Sequence, residues 1–225
     1  MATSGVVSFN PDVSEIIEDA YERVGVVDAT GYDIRTARRS LNILSLEWAN
    51  RGVNLWTIDS NTIPLTANTA TYTLPADTID LLDVVIRTVN NGVNTDLAIG
   101  RLSVGDYSAI PTKGSNGRPV QYYVNRQGAA PTVTVWPVPS TTGTYTLVYW
   151  RMRRMQDAGS DGSINLDIGA RAVPAMIAGL AYYLAQKKAP ARLLECKQIY
   201  DEQFMMMTEE DRERSSFMVA PKYNR

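Results

Sequence analysis

Residues 30–56 read TGYDIRTARRSLNILSLEWANRGVNLW, and they contain a very regular apolar pattern. The apolar residues are spaced alternately three and four apart, so they share one face of a helix: Ile34, Ala37, Leu41, Leu44 and Trp48. Thr30 is a suitable N-cap, the Asp33 carboxylate lies near the positive helix end, and Gly52 is a suitable stop. The stretch therefore predicts one wall of a helical bundle, whose apolar face other parts of the chain must cover.

A shorter helix is predicted immediately before this one. Asn10 can cap it, Pro11 fits the first helical position, and Gly25 ends it. Its apolar stripe consists of Val13, Ile16, Ile17, Ala20 and Val24. Because the connection Val26–Ala29 is short, we expect the two helices to fold back on each other as a helical hairpin.

After Gly52 and up to about Asp161, β-branched residues, threonines and prolines replace the helix-forming residues. Turn signals such as those at residues 90–92 and 141–143 separate the predicted strands. The strands are Val53–Ile58, Asn61–Leu65, Thr71–Leu74, Ile79–Arg87, Val120–Asn125, Thr132–Trp136 and Tyr145–Arg154. Ser103–Ala109 is predicted as one helical turn among them. Short strands at this spacing favour an antiparallel sandwich or a small barrel.

Helical spacing returns near Asp167 and predicts two further helices, separated by Ala189-Pro190. The stripe of the first is Val173, Met176, Ile177, Leu180, Tyr183 and Leu184. Pro174 limits the start of this helix to an early turn, and small residues between the stripe positions allow neighbours to approach closely. The stripe of the second is Leu193, Cys196, Tyr200, Phe204 and Met207.

Together these elements predict an α+β fold. Residues 10–52 and 165–213 are expected to form a helical bundle of two N-terminal and two C-terminal helices. Residues 53–164 are expected to form an inserted antiparallel β region, sandwich or barrel-like. Residues 1–9 are predicted to form an N-terminal arm and residues 214–225 an extended C-terminal tail.

The composition excludes several classes of function. The 225 residues include no histidine and one cysteine, which removes histidine-dependent nucleophile pairs, histidine metal ligands and sites built from several cysteines. No phosphate-binding glycine loop or catalytic dyad is visible, so we expect neither an enzyme nor a cofactor or metal. The net charge of -2 gives no global basic field for nucleic acid. No stretch approaches the roughly 20 apolar residues of a membrane span, so the chain is expected in the cytosol when it is made.

Three local patterns have both a chemical and a structural interpretation. Cys196 is either a nucleophile or, as we favour, a small buried apolar residue. Residues 209–213 contain four carboxylates that can bind a divalent cation, but such runs mixed with arginine are typical of a solvated helix end. Tyr149–Arg154 mixes aromatic and basic side chains, as single-strand binders do. Strand alternation instead favours packing on one of its faces and a charged or interfacial surface on the other.

Two sets of side chains are candidates for contacts between subunits. Arg35, Arg38 and Arg39 lie off the apolar stripe and form a local positive patch, with solvation as the alternative and phosphate contact as the less favoured interpretation. Three consecutive methionines, residues 205–207, point three ways around a helix, so a single bundle face cannot bury all of them. We therefore assign Met205 and Met206 to an intersubunit surface, with plain core packing as the alternative.

The C-terminal tail mixes apolar and basic side chains. Apolar side chains are costly to leave in water, so we interpret the tail as a docking segment for an acidic partner surface rather than as a disordered extension. The residues assigned to docking are Phe217, Met218, Val219, Lys222, Tyr223 and Arg225.

Several short motifs, spread over residues 10–213, occur in a recognisable order. They are the glycine-ended helix at 32–52 followed by Leu55-Trp56-Thr57, TYTLPAD at 71–77, GRP at 117–119 with Tyr122, VTVWPVP at 133–139, residues 145–149, GLAYYLA at 179–185 and the Ala189-Pro190 break. In this order they resemble the head-to-tail adaptor family of tailed bacteriophages, including the tail tubular protein A group.

The resemblance implies a structural virion protein at the head–tail junction. Such proteins form a homo-oligomeric ring, usually a dodecamer, which docks beneath the portal protein and feeds a downstream tail or nozzle protein. DNA passes transiently and without sequence readout through the lumen. Family members commonly grip the portal with a C-terminal extension, so the docking residues of the tail are expected to bind the portal. The alternative is another phage tail binding module, such as a tail completion or receptor-contact protein that presents its β region outward.

Overall fold

A computed structural model describes residues 9–26, 30–53, 55–90, 92–128 and 130–210. The chain divides into two compact units. The helical unit is Met1–Leu55 with Met155–Arg225, and the β unit is Trp56–Arg154. In the described ranges, five helices and predominantly antiparallel sheets confirm the predicted α+β class. Within the described residues, no helix combines the length and the apolar character that crossing a membrane requires.

The elements follow one another in a helix–strand–helix order along the chain. The helices are α1 Val13–Val24, α2 Gly31–Asn50, α3 Val104–Ala109, α4 Val173–Lys188 and α5 Leu193–Glu210. The strands are β1 Ile58–Pro64, β2 Thr71–Thr73, β3 Thr78–Asn90, β4 Val93–Ala98, β5 Gly100–Arg101, β6 Asn116–Gly117, β7 Gln121–Asn125, β8 Thr132–Trp136, β9 Val138–Pro139 and β10 Tyr145–Arg153.

Helix α1 begins two residues later than the sequence pattern predicts. The Asp12 side chain accepts a hydrogen bond from the Glu15 amide at 2.8 Å, and the Glu15 carboxylate accepts one from the Asp12 amide at 3.0 Å. A cap at Asn10 would place Val13 at the third helical position, where no carboxylate could complete this reciprocal box. The predicted cap at Asn10 is therefore wrong, whereas Gly25 ends the helix as predicted, with φ at +83°.

Both predicted ends of α2 are confirmed. Thr30 and Asp33 form a capping box, in which the Thr30 amide donates to the Asp33 carboxylate at 3.1 Å. Gly52 follows the last turn with φ at +84°. The predicted stripe faces the core, since Ala37, Leu41, Leu44 and Trp48 are fully buried and Ile34 is half-buried.

Residues 155–164 group with the helices rather than with the β unit. The Val13 amide donates to the Ile164 carbonyl at 2.9 Å, and the Ser14 amide donates to the Gly162 carbonyl at 3.0 Å. These two N–H groups lie in the first turn of α1, where helical geometry supplies no partner. The segment therefore completes the N-terminus of α1.

Helix α4 is the element that the other three long helices share, because it packs against α1, α2 and α5. It is narrow along its buried length, where the buried residues include Ala175, Ala178, Gly179, Ala181 and Ala185. At Gly179 a Cβ atom would lie 2.7 Å from Leu44 Cδ2 and 2.9 Å from Tyr200 Cε2. Side chains of α2 and α5 thus touch the backbone of α4 at this glycine.

An ion pair joins the start of α2 to the end of α4. Lys188 Nζ lies 2.6 Å from Asp33 Oδ1. Hydrogen bonding to Lys188 and to Thr30 lowers the pKa of Asp33 from 3.8 to about 2. The Asp33 carbonyl also accepts a buried hydrogen bond from the Tyr21 hydroxyl at 2.9 Å, which connects α1 to the same point.

The described residues of the β unit form two four-stranded sheets and one short strand pair. The first sheet has the order β1-β10-β3-β4 and is antiparallel throughout, and the second has the order β2-β8-β7-β5 with a parallel β5–β7 pairing. Side chains of both sheets form one buried cluster, which includes Val84 and Leu147 from the first sheet and Val133 and Val135 from the second. No sheet closes into a barrel within the described part of the chain.

Several features of the β unit differ from the sequence prediction, which also lacks the short strands β5, β6 and β9. Val53–Ile58 and Asn61–Leu65 are not separate strands, because a 3₁₀ turn at Leu55–Thr57 leads directly into β1. Strand β4 exposes every one of its residues to solvent. It therefore lacks the apolar alternation by which a strand is recognised in sequence.

We predict that Gly179→Ala lowers the free energy of unfolding by about 1–3 kcal/mol, because the added methyl group forces α2 or α5 away from α4. Urea unfolding of the purified protein measures this difference. Gly31→Ala is the matched control, since Gly31 is also helical and a Cβ there would have no atom within 4 Å. Equal stability of the two variants would show that α4 has room at Gly179.

We predict that Asp33→Asn is less stable than the wild type near neutral pH and less sensitive to acid. A carboxylate whose folded-state pKa is depressed contributes stability above its unfolded value and loses that contribution as the pH falls through the folded value. The unfolding midpoints of the wild type and of Asp33→Asn should therefore converge as the pH is lowered from 3.8 to about 2. Lys188→Met, which removes the ion-pair partner of Asp33, should reduce the acid sensitivity in the same direction. Parallel curves for wild type and Asp33→Asn would contradict the ion pair.

Candidate assembly surfaces

The outer side of α2 combines two predicted contact residues with exposed apolar ones. Arg35 and Arg39 are exposed, and so are Tyr32, Ile43 and Leu46, which lie on the side of the helix opposite its buried stripe. The apolar spacing of the sequence identifies the inward stripe but does not single out these three outward residues. Their three- and four-residue spacing from the arginines is the signal that marks them as one surface.

Arg38 is placed differently from its two neighbours. It is half-buried, and its Nη1 donates to the Ser160 carbonyl, so its guanidinium is bonded within the helical unit. The structure thus separates the predicted arginine patch into one internal residue, Arg38, and two outward ones, Arg35 and Arg39. The assignment of all three to a subunit interface stays a prediction.

The end of α4 adds positive charge beside Arg39. Lys187 Nζ donates to Ser40 Oγ at 2.7 Å. Burial lowers the pKa of the Lys187 ammonium, and the nearby charge of Arg39 lowers it further. Among the described residues, no carboxylate forms an ion pair with Arg35 or Arg39. This side of α2 is therefore locally basic although the whole chain is weakly acidic.

The outer face of α5 exposes the predicted methionines. Met205 and Met206 are exposed and Met207 is buried, so the three residues point in different directions, as expected. Leu194 and Ile199, which the sequence analysis did not single out, are exposed on the same outer side. The α5 helix therefore presents apolar side chains away from its own core over several turns.

The terminal segments lie outside the described residues. The predicted docking residues Phe217, Met218, Val219, Lys222, Tyr223 and Arg225, like the N-terminal arm up to residue 8, therefore stay predictions. Phe9 is exposed and lines a groove of about 440 Å³ beside α1 and the start of α4. Carboxylates of α1, including Glu18 and Glu22, lie along the same groove.

The aromatic and basic stretch of β10 has a structural role in the β unit. Arg151 is buried, and its guanidinium donates to Asp59 at 2.7 Å, to Asp77 at 2.5 Å and to Thr78 Oγ1 at 2.8 Å. The Arg151 hydrogen bond holds the pKa of Asp77 below its usual range. Since its donors are already used, Arg151 is not a phosphate ligand. Trp150, on the opposite face, remains 51% exposed.

The remaining chemical candidates have structural interpretations as well. Cys196 is buried, as predicted, and burial raises the pKa of its thiol, which disfavours the nucleophilic thiolate. Within the described residues, no three acidic, histidine or cysteine side chains are grouped so that they could hold a metal ion. Asp211 and Glu213 of the acidic run lie outside these residues.

Comparison with known proteins supplies the family. The sequence model of the SU10 adaptor protein family matches residues 11–222, nearly the whole chain. The chain belongs to this family. The protein is therefore a structural head-to-tail adaptor of a tailed bacteriophage, located at the head–tail junction of the virion, and the predicted family and role are confirmed.

No curated protein matches the chain. A solved structure titled "Neck of empty GTA particle computed with C6 symmetry" is 16% identical, with 79% of this chain and 81% of that chain covered, at a TM-score of 0.29.

Proposed function

We propose that the adaptor assembles into a homo-oligomeric ring, a dodecamer, between the portal protein and a downstream tail or nozzle protein. The observation that carries this proposal is the pair of apolar outer faces on α2 and α5. Ile43 and Leu46 on α2 and Met205 and Met206 on α5 are each exposed by more than two fifths. Contiguous exposed apolar side chains mark interaction surfaces, and a closed ring covers two such surfaces in every subunit.

The C-terminal tail is proposed to bind the portal. Residues 214–225 carry three basic side chains, Arg214, Lys222 and Arg225, and no acidic one. Four larger apolar residues, Phe217, Met218, Val219 and Tyr223, accompany them. A segment of this composition fits an acidic surface with apolar pockets, and binding would order it at the moment of docking.

The ring is proposed to let genomic DNA pass without holding it. The chain has a net charge of -2, and its buried arginine, Arg151, is bonded internally, as is the half-buried Arg38. Since DNA affinity depends on the number of phosphates that free cations neutralise, such a subunit binds DNA weakly and allows sliding.

The two units are proposed to have different partners. In this assignment the bundle of two early and two late helices packs laterally in the ring. The β unit then presents a separate surface to the downstream protein. The outward face of its first sheet supports this division, because Trp150 and Leu82 are exposed there. The adaptor itself works without catalysis or cofactor, and is proposed to be made in the host cytoplasm before it joins the particle.

Imaging of labelled particles tests the function. We expect a label on the adaptor to appear as a ring at the head–tail junction, and particles assembled without the adaptor to have heads that lack tails. A label at the distal end of the tail would instead support a tail completion or receptor-contact role.

We predict that deleting Ser215–Arg225 leaves a folded protein with an unchanged melting temperature that no longer co-purifies with the portal ring. The physical reason is the loss of the apolar and basic contacts while the described helices stay intact. Phe217→Ser with Val219→Ser should weaken binding, and Ser215→Ala with Ser216→Ala is the matched control that should retain it. Unchanged portal binding by the deletion variant would show that another surface docks on the portal.

A further inference from the structure

The outer faces of α2 and α5 match each other in both charge and apolar pattern. We define the α2 stripe as Tyr32, Arg35, Arg39, Ile43 and Leu46, and the α5 face as Leu194, Glu195, Ile199, Glu202, Met205 and Met206. We propose that each contact between neighbouring subunits is made by the α2 stripe of one copy and the α5 face of the next. This inference rests on the proposed ring and specifies how its subunits meet.

The α2 stripe is a continuous surface of helical geometry. Its residues follow one another at steps of three, four, four and three, and Tyr32, Arg39 and Leu46 are seven apart. All five residues are exposed, whereas Ala37, Leu41, Leu44 and Trp48 on the other side are buried. Two arginines are therefore held between apolar side chains along about four turns of helix.

The α5 face has the complementary composition. Glu195 and Glu202 are seven residues apart, and Glu209 continues the same row. Exposed apolar residues lie on either side of this row, with Leu194 and Met205 along one edge and Ile199 and Met206 along the other. The opposite side of the helix is the buried one, where Cys196, Tyr200 and Met207 lie.

Charge decides which faces can pair. Two α2 stripes would place arginines against arginines, and two α5 faces would place glutamates against glutamates. Packing the α2 stripe of one copy on the α5 face of another instead brings Arg35 and Arg39 to Glu195 and Glu202. Apolar residues of both helices then surround these charges. Among the described residues Glu202 has no ion pair and Glu195 has only a long one, 3.5 Å from Arg192. Both carboxylates are therefore available to a neighbour.

The pairing of two different faces has a consequence for symmetry. A contact between unlike surfaces is heterologous, and each subunit then offers one free stripe and one free face to further copies. Such contacts generate a closed ring when the rotation between subunits closes, rather than a two-fold dimer. The arginine and glutamate rows would fix the register, as charges flanking an apolar seam do between paired helices.

Charge reversal on each face tests the proposal. The α2-stripe variant carries Arg35→Glu and Arg39→Glu, and the α5-face variant carries Glu195→Arg and Glu202→Arg. Association of the purified full chain is measured by sedimentation velocity over a concentration series. We expect the wild type to form oligomers and each variant alone to associate more than about tenfold more weakly.

An equimolar mixture of the two variants should recover association, because contacts between the two variants join opposite charges. The fourfold variant that carries both reversals should recover it as well. Arg118→Glu, an exposed change in the β unit, is the control that should behave as wild type.

The results separate the interface from the adaptor role. Circular dichroism melting confirms that each variant is folded before its association is measured. A monomeric wild type at the highest concentration reached, or a mixture and a fourfold variant that both stay monomeric, overturns the pairing of α2 with α5. Particle imaging reports independently on the head–tail junction. If the adaptor is seen there but the charge-reversal variants do not rescue each other, the proposed interface is wrong while the adaptor role stands.

Discussion

Side chains of α2 and α5 meet the backbone of α4 at Gly179, where Leu44 and Tyr200 occupy the space that a Cβ atom would need. Tyr200 is fixed there by a second contact, because its hydroxyl accepts a hydrogen bond from Trp48 Nε1 at 3.0 Å. Small buried residues on either side of the glycine let α1 pack on the same helix. The position of α2 and α5 on α4 thus determines which of their faces are buried, and therefore which remain outside.

The faces that remain outside have an unusual composition for a monomer. The inward sides of α2 and α5 are satisfied, with apolar residues buried and the Trp48 and Tyr200 polar groups bonded to each other. The outward sides still carry apolar residues, together with Arg35 and Arg39 on α2 and with Glu195 and Glu202 on α5. A protein that works inside an assembly explains this better than an independent monomer does, because neighbouring subunits can cover surfaces that folding leaves exposed.

Arginine has contrasting roles in this chain. Arg151 connects three segments of the β unit through Asp59, Asp77 and Thr78, and Arg38 bonds the segment that returns to α1. These guanidinium groups are committed within the subunit, where planar multiple donors suit fixed partners. Arg35 and Arg39 form no such bonds within the described residues, so α2 keeps two exposed cations on its outer side.

The sequence by itself determined the features that depend on neighbours three or four residues apart. The inward stripe of α2, its Thr30 cap, the glycine ends and the division into helical and strand-rich regions all follow from periodicity and local hydrogen bonding. One such local prediction was wrong: the N-cap of α1 is Asp12, which forms a capping box with Glu15, and not Asn10. The exposed methionines of α5 and the arginines of α2 were also identified from local pattern.

Only the tertiary structure decided which distant segments meet. The central place of α4, the return of residues 155–164 to the start of α1, the enclosure of Arg151 and the edge strand β4 depend on partners far away in the chain. Separation of Arg38 from Arg35 and Arg39 likewise depends on Ser160, 122 residues away. The spacing of residues along the sequence does not reveal such pairings. The free energy that selects them comes from packing and charge contacts that exist only once the chain is folded.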